Sequence, residues 1–135
     1  MRLALLLAVV LFLVACAPES GTSRQLEGCT IIDVFSCTVE RGADGRSFTV
    51  WLRNTADVAV LDVSVVIENV TCTLERDEGI LERIDPETTE EITFNCKGLI
   101  PEAFAGDLDI QYSLASGYAG EPSRLTRGDF VAYAR

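Results

Sequence analysis

Residues 47–54, Ser47-Phe48-Thr49-Val50-Trp51-Leu52-Arg53-Asn54, alternate apolar and polar side chains with a period of two. Phe48, Val50 and Leu52 fall on one face, the pattern of a half-buried β-strand and not of a helix. Outward from this stretch the alternation recurs. Residues 62–68 align Val63, Val65 and Ile67, residues 91–96 align Ile92, Phe94 and Cys96, and residues 107–112 align Leu108, Ile110 and Tyr112. Residues 128–135 read as a closing strand and 80–84 as a short one. The β-rich run from Cys29 to Val39 reads as one strand or a bent pair. Turn signals separate these runs at 41–46, 54–57, 77–79, 85–87 and 116–120. Pro101 to Ala105 has room for one helical turn at most, and no other segment after the leader carries a helical stripe. Strands with short turns and β-branched interiors predict an all-β sandwich of about seven strands. Trp51 has the opposite parity to Phe48, Val50 and Leu52, and is expected to pack over a sheet edge or beneath a loop.

The chain begins MRLALLLAVVLFLVAC. Arg2 supplies a positive start, and Leu3 to Ala15 is an apolar run of 13 residues. As a helix it would measure roughly 20 Å, against a hydrocarbon core of about 30 Å, so it is short for a permanent span and suits a secretory signal. Leu13-Val14-Ala15-Cys16 resembles the lipobox of prokaryotic lipoproteins at all four positions. The resemblance implies that the Cys16 thiol receives a diacylglyceryl group through a thioether and that cleavage falls between Ala15 and Cys16. Two acyl chains hold a membrane stably where one does not. The competing readings are an ordinary signal peptide cut after Ala15 or Ala17, with Cys16 incidental, and a permanent N-terminal span. Residue 17 is Ala and not Asp, which in a diderm bacterium disfavours retention at the inner membrane. Residues 1–15 are thus expected to be a cleaved signal helix, 16–28 a lipidated cysteine with a flexible tether rich in Ser, Gly and Thr, and 29–135 the folded domain.

Without residues 1–15 the chain has 120 residues, enough for one domain with a core. It then carries 10 basic and 21 acidic residues, a net −11, which repels nucleic acid and anionic headgroups. Lys97 is the only lysine, and histidine is absent. The lack of histidine removes imidazole acid–base catalysis, Ser-His-Asp and Cys-His pairs, and the usual transition-metal sites. No catalytic residue, cofactor or metal is expected.

Cys29, Cys37, Cys72 and Cys96 remain after Cys16 is assigned to lipid. An even number in an exported domain points to disulfides. Three pairings are open, and Cys29–Cys37 with Cys72–Cys96 is favoured because each pair then sits on neighbouring strands. In the loop-entropy description these closures stabilise by roughly 2.5 and 3.5 kcal/mol. A four-thiolate zinc site is the rival, but the spacings of 8, 35 and 24 residues lack the close pairs that zinc takes. The absence of Cys-x-x-Cys argues against an oxidoreductase.

The segments SFTVWLRNTADVAVLDVSVVIENVTC, IDPETTEEITFNC and GLIPEAFAGDLDIQYSL, spanning residues 47–115, resemble immunoglobulin-like domains of archaeal and bacterial surface proteins. The shared features are a strand ending in Arg-Asn-Thr, the following β-rich strand, and an x-Pro-x-Thr turn feeding the next strand. The resemblance implies an immunoglobulin-like sandwich. A pairing of cysteines like Cys72 and Cys96, and a short N-terminal loop like Cys29 to Cys37, look especially like archaeal cell-surface and pilin-associated domains. The long apolar helix and processing site of a type IV pilin are missing, which argues against an ordinary pilin.

Carboxylates cluster at Glu87, Glu90 and Glu91, at Asp107 and Asp109, and at Asp77 and Glu78. Such pairs run acid–base chemistry or hold calcium when a pocket fixes them, and are otherwise a solvated acidic face, which is the expectation here. Asn69-Val70-Thr71 is a glycosylation sequon in a glycosylating host. Phe104 and Tyr118 fall in Gly-containing segments, 97–106 and 115–128, expected to be contact loops. The reading that follows is a lipid-anchored, non-enzymatic envelope or surface module. Its partners are expected to be the membrane through its lipid and another envelope protein, with self-association through edge strands. A filament subunit that donates its N-terminal segment as a strand is one alternative. A small solute-binding or enzyme-accessory lipoprotein is the other, and it would need a concave apolar pocket.

Overall fold

The alternation at 47–54 becomes the central strand of a three-stranded sheet: Phe48, Val50 and Leu52 are fully buried, while Thr49, Trp51 and Arg53 face outwards. The computed structural model describes residues 28–31, 33–115 and 122–133, so the expected signal helix, Cys16, residues 17–27 of the expected tether and Tyr118 lie outside the described residues, while Gly28, expected to end the tether, already belongs to the first strand. The described residues form eight strands and no helix. These are β1 (Gly28–Ile31), β2 (Phe35–Arg41), β3 (Ser47–Asn54), β4 (Val60–Glu68), β5 (Glu78–Ile84), β6 (Thr89–Asn95), β7 (Ala103–Leu114) and β8 (Arg124–Tyr133). One sheet has the order β1-β8-β7-β4-β5 and the other β2-β3-β6, with every pairing antiparallel. The β3/β6 pair packs on the other sheet, Phe48 meeting Phe104 of β7 and Phe130 of β8, and the chain crosses between sheets from β1 to β2, β3 to β4, β5 to β6 and β6 to β7. That interlocked arrangement is an immunoglobulin-like sandwich.

The two inner faces meet in one core. Phe48 is stacked on Phe94 at 5.4 Å between ring centroids and also touches Phe104 at 5.4 Å and Phe130 at 5.7 Å. Each such ring or aliphatic side chain taken fully out of water contributes on the order of 1.5–3 kcal/mol, so this cluster outweighs any single polar contact described below. Strict alternation fails in β4 and, opposite it, in β5, where the inward residues Leu81 and Ile84 are three apart. Asp62 has φ 51°, and the β4–β7 register shifts between Leu61 and Ser64. The bulge lets Val60 and Val63, three residues apart, both point into the core.

The Cys29–Val39 run is a bent pair whose halves belong to different sheets. Asp33 in the bend accepts a hydrogen bond from the buried Tyr112 hydroxyl, and Phe35 meets the Tyr112 ring edge-on at 5.0 Å. Burial first, and the Asp33 carboxylate second, push the Tyr112 phenol up to about 12. The β2–β3 hairpin is closed by Asp44, whose Oδ1 accepts from Arg46 N at 2.9 Å and Ser47 N at 3.1 Å. The Arg46 amide, followed by the Ser47 hydroxyl, lowers the Asp44 carboxyl below its usual value.

Both favoured disulfides are present, with Cα separations of 5.4 Å for Cys29–Cys37 and 5.8 Å for Cys72–Cys96. They do not join neighbouring strands of one sheet, although the alternation suggested that they would. Cys29 and Cys37 join β1 and β2 across the two sheets, and Cys72 lies in the β4–β5 connection and not on a strand. The connection reaches β6's end through the bridge Leu74–Cys96, where Glu75 N donates to Asn95 O at 2.9 Å and Lys97 N to Thr73 O at 2.7 Å.

Candidate functional site

Phe104 is the clearest correction to the sequence reading. It is not in a contact loop but in β7, buried against Phe48 and Phe130. The exposed apolar residue of that region is Leu99, 72% accessible, at the tip of the 97–102 segment beside Lys97. The segment is pinned at its base: Ile100 N donates to Gly45 O at 2.7 Å, and Arg41 Nη2 donates to Ile100 O at 2.9 Å.

Asn69 stands exposed at the end of β4 with φ 50°, a left-handed conformation in which Asn is favoured. Its Nδ2 donates to Asp107 Oδ2 at 2.7 Å. The sequon asparagine therefore has a structural task in the turn, and Thr71 beside it is exposed.

Asp107 and Asp109 do share the face opposite Leu108 and Ile110, as the alternation implies, but they are half-buried and not freely exposed. Register places Asp129, Asp107 and Glu68 directly opposite one another across β8, β7 and β4, with Thr30 of β1 at the end of the row. Like charges directly opposed across strands are unfavourable. Arg127 Nε approaches Asp109 Oδ1 at 3.3 Å and offsets part of this. Among the described residues no group of three Cys, Asp or Glu side chains is placed to hold a metal ion.

Asn54 is the middle residue of the Arg-Asn-Thr motif and is fully buried. Its Nδ2 donates to Ile84 O at 3.0 Å and to Val58 O at 2.8 Å, and its Oδ1 accepts from Ala56 N at 2.9 Å. Its backbone also pairs with the β5–β6 turn, donating to Thr88 O at 3.0 Å and accepting from Glu87 N at 2.9 Å. This residue joins the β3–β4 connection to the end of β5 and to the β5–β6 turn, and serves the fold.

Trp51 stands mid-sheet, on the outer face of β3 between Thr38 and Glu91, and not at a sheet edge. It is half-buried, and its indole N–H has no hydrogen-bond partner among the described residues.

The two long sides of the sandwich differ. On one, the Cys29–Cys37 bond ties β1 to β2. On the other, β5 and β6 are the outermost strands of their sheets and do not pair with each other. A groove of about 680 Å³ runs between them, lined by Glu75, Glu78, Gly79, Ile80, Ile92 and Thr93 among others. A Cβ on Gly79 would lie 2.3 Å from Ile92 Cγ2, so the glycine lets Ile92 lie directly on the β5 backbone. Sequence reasoning missed this open side, since it depends on which strands end up outermost. No protein-family model matches this chain, and no match is found among curated proteins.

Proposed function

We propose that the protein is a lipid-anchored, extracytoplasmic contact module without enzymatic activity, and that its work is to hold a sandwich domain at the envelope surface where it binds another protein. The observation that carries this reading is the Leu13-Val14-Ala15-Cys16 ending of the apolar leader. Two disulfides in the folded body are consistent with an oxidising compartment outside the cytoplasm. The tether joins the body at Gly28, the start of β1, opposite Val131 near the end of β8. The acidic surface favours a protein partner over nucleic acid or bare anionic lipid.

Fractionation tests the anchor. Wild-type protein is expected to sediment with membranes and to be released by detergent, while Cys16→Ser is expected in the soluble extracytoplasmic fraction or retained with its leader uncleaved. Equal membrane association and equal processing of both forms would overturn the lipid reading. Sedimentation of Cys16→Ser as detergent-resistant fibres would replace it with the filament.

A further inference from the structure

We propose that the open side of the sandwich is a strand-addition site on β6 that accepts an extended segment bearing lysine or arginine from a different protein. The inference deepens the contact-module reading and rests on it.

The fourth-strand position beside β6 is begun and then abandoned by the chain itself. Residues 73–75 run antiparallel to β6 and pair with its end through the two hydrogen bonds between Glu75 and Asn95 and between Lys97 and Thr73. The chain then leaves for the other sheet and becomes β5. Cys72–Cys96 fixes this short strand in place. Asn95 O and Lys97 N point away from β3, and Cys96 N points the other way, to Arg46 O. In an antiparallel strand these directions alternate residue by residue. The N–H and C=O of Thr93 and Glu91 therefore face the open side, where β6 has no strand partner among the described residues. An incoming segment that continued the line of residues 73–75 would meet those groups.

Side chains say what that segment carries. Phe94 and Ile92 have inward parity, so residues opposite them would enter the groove lined by Glu78 and the exposed Ile80. Glu91 stands on the outer face beside Trp51, and Glu90 is exposed at the margin. Around the groove and its two strands lie Glu75, Asp77, Glu78, Glu82, Glu90 and Glu91, against Arg76 and Arg83. Arg83 is already held by Asp85 at 2.6 Å. The fitting partner places apolar residues opposite Phe94 and Ile92 and basic residues opposite Glu91 and Glu90. Main-chain bonds then give affinity and the charges give selectivity. A second copy of this acidic chain brings the wrong charge. The chain's own residues 17–27, with Glu19, Arg24 and Glu27, lack both the alternation and the positive excess.

The test uses the full chain in detergent and a fluorescent peptide, Thr-Val-Thr-Val-Lys-Lys-Thr, read by anisotropy. The same peptide with Glu in place of both Lys is the charge control. Saturable binding of the basic peptide, at least about tenfold tighter than the acidic one, is expected. Thr93→Pro removes one outward N–H at an edge, where proline is tolerated, so it should abolish binding while the melting temperature stays within a few degrees. Glu91→Lys should reverse the peptide preference. No binding of the basic peptide, or binding that Thr93→Pro leaves unchanged in a folded protein, overturns the β6 assignment. Concentration-dependent dimerisation lost in Thr93→Pro would overturn it in favour of a second copy. In either case the membrane fractionation of Cys16→Ser is unaffected, so failure here is separable from failure of the anchored-module reading.

Discussion

Replacing Asn54 by Asp should damage this domain more than replacing it by Ala, although Asp is the closer match in size. The reason is the direction of three hydrogen bonds. The Asn54 amide donates twice, to Ile84 O and Val58 O, and accepts once, from Ala56 N. Asn54→Ala leaves the carbonyl of Ile84 without its donor in a buried place and strands two half-buried groups. An unmet buried polar group costs about 1–3 kcal/mol and half-buried ones less, because water can reach them, so about 2–4 kcal/mol in total is expected. Asn54→Asp keeps the acceptor for Ala56 but sets a buried carboxylate against two carbonyl oxygens. That adds charge burial and repulsion, and the loss should reach about 4 kcal/mol or more at neutral pH. Protonation would restore a donor, so the gap between Asn54→Asp and wild type should narrow as pH falls. Trp51, the only tryptophan, reports unfolding in guanidinium with the disulfides intact. The reasoning fails if Asn54→Asp is the milder variant, or if both fall within about 0.5 kcal/mol of wild type, the range of ordinary surface changes.

Three further outcomes follow from the packing. Tyr112 is raised in the fold above its ordinary value of 10, so its contribution to stability is complete below pH 10 and is lost as pH rises toward about 12. Denaturant titrations from pH 9 to 12 should show that decline, and Tyr112→Phe should flatten it. Gly79→Ala must push Ile92 off the β5 backbone, at a cost of about 1–3 kcal/mol, and Ile92→Ala in the same chain should recover part of the loss in a double-mutant cycle. Removing the Cys72–Cys96 bond by Cys72→Ala opens a 24-residue loop, against 8 for Cys29–Cys37, so it should lower the melting temperature more than Cys37→Ala does.

The sandwich was legible in the sequence because its decisive signals are local. Period two in 47–54 and 91–96 predicts the faces that Phe48, Val50, Leu52 and Phe94 occupy. What was not legible depends on distant partners. The bend between β1 and β2 carries no Gly or Pro and is held by Tyr112, 79 residues away from Asp33. The start of β7 reads as a loop because of Ala103, Ala105 and Gly106. The fold uses that small residue: a Cβ on Gly106 would come within 2.7 Å of the Phe130 ring. Phe104 was misplaced with it. Asn54 looked like a turn residue, and its burial follows from β5 and the β5–β6 turn converging on it. The open β5/β6 side is a property of sheet order, which alternation within single strands does not encode.

Intact mass of the protein extracted from native membranes, after alkylation without reduction, tests the central claim most directly. The account predicts a chain that starts at a diacylglyceryl-modified Cys16, lacks residues 1–15 and takes up no alkylating reagent at Cys29, Cys37, Cys72 or Cys96. A species that retains Met1, carries no lipid and is alkylated at all four of those thiols would contradict it.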